Sequence, residues 1–309
     1  MATPEFIQTA QTEFGEAVLP QTTTPPTLTI ASYNIRYAVG RFLIASGILR
    51  KVGVNVPSNR SQAIAENIRL AARVLSDGVR LPRADIIALQ EADKGTARAG
   101  GRHVTRELAE LLQMAWVHVS AGIPRGIEPK DRQWWLNFEE QIGLHDGGDT
   151  GVSLLTRFPM EDITRIDLPW NDCPWRPRLS VGATITVGGK ALRIFNSHID
   201  PHTSVNGQLD QVEVVLKHAE RFRGPTMVLG DFNTLSRRKC IDTRRLLQER
   251  GFTTPFPTGT PTWRGAGLRL HADWVFVRDV NVIRWGVGRG ITVSDHWPIW
   301  VQIAMRDVS

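Results

Sequence analysis

Cysteine is scarce in this sequence of 309 residues, and it has no long apolar run. The two cysteines, Cys173 and Cys240, make no disulfide framework and are typical of a reducing compartment, so we expect a cytoplasmic protein. No stretch of about 18 uncharged apolar residues is present, which argues against a membrane-spanning helix. The N-terminus lacks a basic start and an apolar core, so it does not predict a signal peptide.

Positive charge is in modest excess in this sequence. The 37 basic residues exceed the 31 acidic residues, which leaves a net charge of +6 and a pI of about 9.8. This excess favours an anionic partner, such as nucleic acid, a phosphate ester or an acidic membrane surface, without choosing among them. The composition, 41% hydrophobic and 22% charged, is typical of a globular protein.

The beginning of the chain differs in composition from the rest. Residues 1–26 are rich in Thr, Gln and Pro and predict a flexible N-terminal arm, whereas residues 27–305 predict a single domain. Apolar runs predict strands at 28–34, 85–91, 151–157, 179–187, 191–199, 226–232, 272–277, 280–287 and 298–304. Helical spacing predicts helices at 61–76 and 207–222, and a third helix that Thr105 caps. Because the strands outnumber the helices, we expect packed sheets with helices outside them.

In the stretch VLGDFNT, residues 228–234, an apolar run is followed by polar residues. Gly230 permits a close backbone approach that a side chain would block. On extended chain, Asp231 and Asn233 point the same way and offer a charged acceptor beside a mixed donor and acceptor. The same residue types are common in an ordinary strand-to-loop turn, so this stretch alone leaves both interpretations open.

Ligand-type side chains follow or precede several other apolar runs. They are Asn34, Glu91, Asn196, His198, Asp295 and His296. Asp273 lies among apolar neighbours, where a carboxylate without a partner is costly. Carboxylate and amide oxygens suit a hard cation such as Mg²⁺, with Mn²⁺ as the alternative. Together with histidines, such a set is typical of phosphate-ester hydrolysis, which needs an oriented water, a base and charge stabilisation.

Six motifs in this order resemble those of the endonuclease/exonuclease/phosphatase superfamily, a group of DNase I-like metal-dependent hydrolases. They are SYNIR, ALQEAD, FNSHID, VLGDFNT, HADWVFV and SDHWPIW, and the resemblance spans residues 28 to about 303. The resemblance implies a four-layer α/β/β/α sandwich with the site at one edge of the two central sheets. It also implies that residues 27–305 form one catalytic domain.

The resemblance implies a metal site and a phosphate contact. Glu91 resembles the main Mg²⁺ ligand, and Asn34 resembles the neighbour that helps to hold the metal or its water. Asp295 is expected either to hold metal or to structure the site. Arg178 matches an arginine that relatives carry before the same strand, and its guanidinium suits a phosphate contact. The alternative for Arg178 is an ordinary surface arginine.

The resemblance also implies the catalytic residues. Asp231 resembles the residue that orients or activates the attacking water, and Asn233 the residue that positions water and phosphate. His296 resembles the histidine at the scissile phosphate, and Asp273 the carboxylate that orients it. His198 resembles a histidine that donates to the phosphate. Whether Asp231 or His296 is the general base is left open.

Three segments are candidates for deciding the substrate. Residues 40–57 mix apolar and basic side chains that would suit lipid, or would form an ordinary packed helix or loop. Residues 124–149 form a long insertion with paired tryptophans that would stack on a base or anchor the loop. Residues 236–250 are strongly basic and would attract a polyanion, or would form a solvated helix face.

The resulting hypothesis is a Mg²⁺-dependent phosphodiester hydrolase, a nuclease that acts on DNA or RNA. The first alternative is a phosphoesterase that acts on a lipid or small-molecule phosphoester. The second is a binding protein that has lost catalysis, against which the complete set of site residues argues. We expect a monomer without an obligate protein partner.

Overall fold

The computed structural model describes residues 12–17, 25, 27–40, 59–127, 140–170, 176–265 and 267–305. The first strands in this part of the chain are β1 (Thr12–Gly15), β2 (Leu28–Asn34), β3 (Ile86–Gln90), β4 (Ala115–Ser120), β5 (Gly151–Thr156), β6 (Met160–Asp167) and β7 (Leu179–Val187). They are followed by β8 (Lys190–His198), β9 (Thr226–Asp231), β10 (Trp263–Gly265), β11 (Leu268–Leu270), β12 (Asp273–Arg278), β13 (Val280–Val287) and β14 (Ile299–Met305). The α-helices of the described residues are α1 (Arg60–Ser76), α2 (Val104–Leu112), α3 (Val205–Ala219) and α4 (Arg237–Glu249).

Two large sheets form the centre of the molecule. The first has seven strands in the order β1-β4-β5-β3-β2-β14-β13, and the second has five in the order β12-β9-β8-β7-β6. Among the described strands, each sheet contains one parallel pair, β2 with β3 in the first and β8 with β9 in the second. The short strands β10 and β11 form a separate hairpin.

Strand β2 shows why both faces of the first sheet are apolar. Ile30 packs in the cluster between the two sheets, whereas Ala31 and Tyr33 pack in a second cluster with Ile64 and Ile68 of α1. Successive side chains of a strand point to opposite faces, so a strand covered on both sides is apolar over most of its length. Helices α1 and α2 therefore cover the outer face of the first sheet.

The second sheet is covered by α3 and α4. Val212 and Leu216 of α3, together with Leu247 of α4, belong to the same buried cluster as Val228 and Phe276 of the second sheet. The layers are thus helices, sheet, sheet and helices, as the sequence predicts.

The parallel pairs bring the predicted site residues to one edge of the sandwich. Asn34 ends β2 and Glu91 follows β3, while His198 ends β8 and Asp231 ends β9. Parallel neighbours end at the same edge of a sheet, so each pair delivers two functional side chains there. Asp273 begins the antiparallel β12 directly opposite Asp231.

A buried amide pair holds the two sheets together beneath this edge. Gln90 Nε2 donates to Asn196 Oδ1 at 2.6 Å. Asn196 Nδ2 in turn donates to the carbonyl oxygens of Leu89 and Ser153, each at 2.8 Å. Asn196 belongs to the second sheet and its three partners belong to the first, so these bonds set the spacing of the sheets under the site.

Most predicted elements are confirmed, with β2 and β13 matching their predicted bounds and the 179–187 and 191–199 runs forming the expected hairpin. The predicted cap of the 104–112 helix is wrong, because His103 accepts from Arg106 N whereas Thr105 lies buried inside the helix. The sequence analysis did not predict β1, β4, β6, β10 or β11, and β1 lies within residues 1–26, which were expected to form a flexible arm. Segments 41–58 and 128–139, which include most of the proposed lipid-contact segment and both paired tryptophans, lie outside the described residues.

In the part of the chain that the structure describes, no helix combines the length and the apolar character needed to cross a lipid bilayer.

Candidate active site

The turn after β9 depends on a glycine. Gly230 has φ of 133°, and a Cβ atom there would lie 2.0 Å from the carbonyl oxygen of Ser197. Asn233 has φ of 50°, its backbone N–H donates to Asp231 Oδ1 at 2.9 Å, and its side-chain Nδ2 donates to Ile199 O at 2.9 Å. This left-handed residue departs from the extended chain on which the predicted common direction of Asp231 and Asn233 depended. The turn therefore fixes the position of the Asp231 carboxylate, and the two hydrogen bonds of Asn233 stabilise the turn.

Asn34 joins the carboxylates of the two sheets. Its Nδ2 donates to Asp231 Oδ2 at 2.8 Å and to Glu91 Oε1 at 3.3 Å. Its Oδ1 accepts from the backbone N–H of Arg36 at 3.0 Å, which orients the amide. Asn34 and Asp231 are buried, so this bond holds the end of β2 in the first sheet against the end of β9 in the second.

Asp273 and His296 form a buried pair beside Asp231. His296 Nδ1 lies 2.9 Å and 3.1 Å from the two carboxylate oxygens of Asp273, and its Nε2 lies 3.8 Å from Asp231 Oδ2. Burial disfavours the imidazolium, but Asp273 and then Asp231 raise the pKa of His296 to about 10. The ring is therefore protonated at neutral pH, and its Nε2–H faces Asp231.

Asp231 has a pKa suited to proton transfer at neutral pH. Burial raises the pKa of this carboxyl to about 7, with Asp273 adding to the rise while His296, Asn34 and the Asn233 N–H oppose it. A base is most effective when its pKa lies near the working pH. The pKa of Asp231 therefore suits a base, and the higher pKa of His296 suits a proton donor.

Arg178 and His198 lie on the side of the site that faces the carboxylates of Asp231 and Glu91. Arg178 NH1 lies 2.7 Å from His198 Nε2, and that nitrogen lies 3.7 Å from Asp231 Oδ2 and 3.8 Å from Glu91 Oε1. Burial, followed by the charge of Arg178, lowers the pKa of His198 well below its ordinary value. The neutral ring can accept from the guanidinium, which sets its orientation.

Arg176 is a site residue that the sequence analysis missed. Its NH2 lies 3.2 Å from Glu91 Oε1, and both side chains are largely buried. Burial alone would raise the pKa of Glu91, but the positive charges of Arg176 and Arg36 hold it below its ordinary range. The signal lay in the segment WRPRL at 175–179, whose two arginines precede the same strand and of which only Arg178 was singled out.

Asp295 is held by its neighbours at the rim of the site. Its Oδ2 pairs with Arg36 and accepts from Trp263 Nε1 at 2.9 Å, and its Oδ1 accepts from Ser294 Oγ at 3.2 Å. Arg36, in the SYNIR motif, has a φ of 43° and was not assigned a role from the sequence. Of the two roles expected for Asp295, these contacts favour the structural one.

The donor atoms of the site suit a hard cation. Glu91 offers a charged carboxylate, and Asn34 connects it to Asp231. Among the described residues, Asp231, Asp273 and, in its neutral form, His296 can each offer one ligand atom, and these atoms lie within 4.8 Å of one another. The carboxylate oxygens fit a divalent metal, and the grouping with His296 differs from the Glu91, Asn34 and Asp295 set expected from the sequence.

Comparison with known proteins agrees with this fold. The model of the Endonuclease/Exonuclease/phosphatase family matches residues 31–296. Among solved structures, an endonuclease/exonuclease/phosphatase from Beutenbergia cavernae is 16% identical with a TM-score of 0.64, over 91% of this chain and 72% of that chain. No curated protein matches the chain.

Two further structures are similar over nearly their whole length. A mannosyl-6-phosphatase from Bacteroides thetaiotaomicron is 18% identical with a TM-score of 0.58, over 89% of this chain and 99% of that chain. A humanized TDP2 from D. rerio is 14% identical with a TM-score of 0.54, over 90% of this chain and 99% of that chain. At these identities the likeness shows the fold, and it confirms the predicted DNase I-like sandwich.

Proposed function

Because the chain belongs to the endonuclease/exonuclease/phosphatase family, a family of phosphoester hydrolases, we propose that it is a Mg²⁺-dependent phosphodiester hydrolase that acts on nucleic acid. The observation that carries the proposal is the contact of Asp231 with Asn34 on one side and with the Asp273–His296 pair on the other. This arrangement supplies a base, a proton donor and an orienting carboxylate around one point.

In the proposed reaction Asp231 takes a proton from the water that attacks phosphorus. With a pKa of about 7, it is a substantial fraction ionised at neutral pH and becomes a neutral acid after the transfer. His296 donates a hydrogen bond from Nε2 to a phosphate oxygen, since Asp273 holds its Nδ1. This assignment makes Asp231, rather than His296, the general base.

Glu91 and Asn34 are the proposed holders of the metal, with Mg²⁺ preferred and Mn²⁺ as the alternative. Glu91 keeps its negative charge because cations surround it, which is the state that binds a metal ion. When bound, the cation neutralises phosphate charge and stabilises the leaving oxygen.

Arg178 and His198 are the proposed phosphate-binding residues. Arg178 is buried, and its Nε and NH2 atoms have no hydrogen-bond partner among the described residues. A buried guanidinium with unsatisfied N–H groups beside the catalytic carboxylates is suited to the phosphate oxygens of a substrate. Charge stabilisation of this kind is strongest where water is excluded.

Helix α4 supports nucleic acid as the substrate. It begins four residues after Asn233, and the Arg238 and Arg245 side chains are 79% and 66% exposed. Asp242 pairs with both arginines at 3.5 and 3.2 Å, which reduces but does not remove the positive charge of this surface. Such a surface attracts a polyanion by counterion release.

A small-molecule phosphoester is the second candidate substrate. A cavity of about 320 Å³ lies beside Arg176, and this volume is typical of small-ligand sites. The two candidates share the same chemistry at phosphorus. Monomeric state and cytoplasmic location stay predictions.

Nicking of supercoiled plasmid in the presence of Mg²⁺ tests the proposal. Metal-dependent nicking that EDTA and Asp231→Ala each abolish is the expected result. Activity on a chromogenic diester without nicking would replace nucleic acid by the small phosphoester. An Asp231→Ala variant as active as the parent would remove Asp231 from its assigned role.

A further inference from the structure

A cavity of about 320 Å³ opens next to the candidate active site. It lies between two loops, one after β4 and one before β5, and its described lining includes Ile123, Ile127, Ile142 and Leu144. Leu144 and Ile127 are 61% and 40% exposed, so they form the mouth, while Ile123 lies deeper.

The cavity is connected to the catalytic cluster through Arg176 and Thr150. Both residues line it, and both also line a second, smaller cavity whose wall includes Arg178 and His198. Arg176 at the same time contacts Glu91 at 3.2 Å. A ligand in the large cavity therefore lies one side chain away from the groups proposed to hold phosphate and metal.

The polar groups of the lining are cationic or neutral. Arg98 and Arg176 line the cavity, and among its described lining residues there is no carboxylate. The Arg98 charge is balanced by the buried Asp93, at 2.6 Å and 3.0 Å. Thr150 is 7% exposed, and its hydroxyl is buried without a hydrogen-bond partner among the described residues. An anionic end at Arg176 and an apolar end at the mouth would match this lining.

We propose that the cavity is a subsite that binds an aromatic ring attached to the substrate phosphate, with Ile127 and Leu144 as specificity-determining residues. The inference rests on the proposed function, because it assigns the non-reacting part of the same substrate. Aliphatic side chains favour a flat apolar ring over a free sugar, whose hydroxyls would lose hydrogen bonds to water against this surface. The bounded volume also favours a compact ring over a lipid acyl chain.

The ring has two chemical sources, a nucleobase or a simple aryl ester, and both present the same surface to the cavity. Phosphonates separate ring binding from turnover, because they carry the charge but are not cleaved. Phenylphosphonate and methylphosphonate differ only in the apolar group, so the ratio of their dissociation constants reports the subsite. Adenosine 5′-monophosphate and ribose 5-phosphate form a second pair, in which adenine replaces the hydroxyl group at C1 of the sugar.

The test is calorimetric titration of the Mg²⁺-loaded protein with each of the four probes. Phenylphosphonate is expected to bind at least about 10-fold more tightly than methylphosphonate, since burial of a ring is worth about this factor or more. The double variant Ile127→Ser, Leu144→Ser is expected to reduce the ratio to roughly 3-fold or less and to leave methylphosphonate binding unchanged. The matched control is Leu111→Ser, an exposed leucine on α2 that is 51% exposed and should keep the parent ratio.

Equal binding of the two phosphonates by the parent, or an unchanged ratio in the double variant, would overturn the inference. A preference for the adenosine compound together with the phenyl preference supports a nucleobase as the occupant, and a phenyl preference alone supports an aryl ester. Hydrolysis of bis(p-nitrophenyl) phosphate is measured on the same preparations. Metal-dependent hydrolysis without ring preference would overturn only the subsite, whereas failure of both binding and hydrolysis would also remove the proposed function.

Discussion

Asp273→Asn is the most informative substitution in the site. It keeps the shape of the side chain and removes the charge that, ahead of the charge of Asp231, raises the pKa of His296 to about 10. The ordinary value is 6.5, and one pKa unit corresponds to about 1.36 kcal/mol, so the preference for the imidazolium amounts to roughly 5 kcal/mol. Because burial opposes the charge, the variant is expected to hold a His296 that is largely neutral at pH 7.

The sign of the effect on stability follows from the same pKa. His296 has a folded-state pKa above its unfolded value, so its contribution is fully present below pH 6.5 and is lost as the pH rises through about 10. Asp273→Asn removes this contribution, and the urea midpoint of the variant should lie closest to that of the parent above pH 10.

The rate should fall with the charge of His296. Loss of a positioned proton donor lowers a rate by about 10²- to 10⁴-fold, and we expect kcat of Asp273→Asn to fall within this range. The assay is an NMR titration of the His296 ring in metal-free protein, followed by kcat on a phosphodiester with Mg²⁺. Asp77→Asn, at an exposed carboxylate after α1, is the control and should change neither quantity. A His296 ring that titrates in the variant as it does in the parent would refute the reasoning.

Three other predictions concern the turn, the acid stability and the metal. Gly230→Ala should destabilise the fold by about 1–3 kcal/mol, because residue 230 has a φ of 133° and the added Cβ would lie 2.0 Å from Ser197 O. The urea midpoint of the variant should therefore be lower, and an unchanged midpoint would contradict the geometry. Burial lowers the pKa of His118 to about 3, so the unfolded state binds a proton that the folded state does not, and stability should fall by up to about 1.4 kcal/mol per pH unit between pH 6.5 and 3. His118→Gln should flatten that slope, and an equally steep slope would assign the acid loss to other groups. Glu91→Gln should weaken Mg²⁺ binding at least about 10-fold in calorimetry, whereas Glu66→Gln on the exposed face of α1 should not, and equal affinities would move the metal elsewhere.

The predicted site residues illustrate how much of a site local sequence can carry. Asn34, Glu91, His198 and Asp231 were recognisable because each ends or directly follows an apolar strand, and such ends collect at one edge of a sheet. Asp273 was recognisable because a carboxylate among apolar neighbours requires a partner, and His296 is that partner at 2.9 Å.

Other parts of the site depend on contacts between residues far apart in the chain. In the sequence, Arg36 and Arg176 do not differ from other basic residues. In the structure, Arg36 pairs with Asp295, and Arg176 lies 3.2 Å from Glu91. Asn233 was expected beside Asp231, and its positive φ instead directs its amide to Ile199 O. The local sequence predicts neither the partners of these arginines nor the φ of Asn233, because each depends on the packing of segments that are far apart in the chain.

The sequence by itself determined the apolar strands, their polar ends and the order of the six motifs, since period and composition are local properties of the chain. Only the tertiary structure decided which ends meet, because the parallel pairs β2–β3 and β8–β9 join segments more than fifty and more than twenty residues apart. It also decided the protonation of the site. The pKa values of Asp231 and His296 are set by burial and by facing charges, and both exist only once the two sheets have packed.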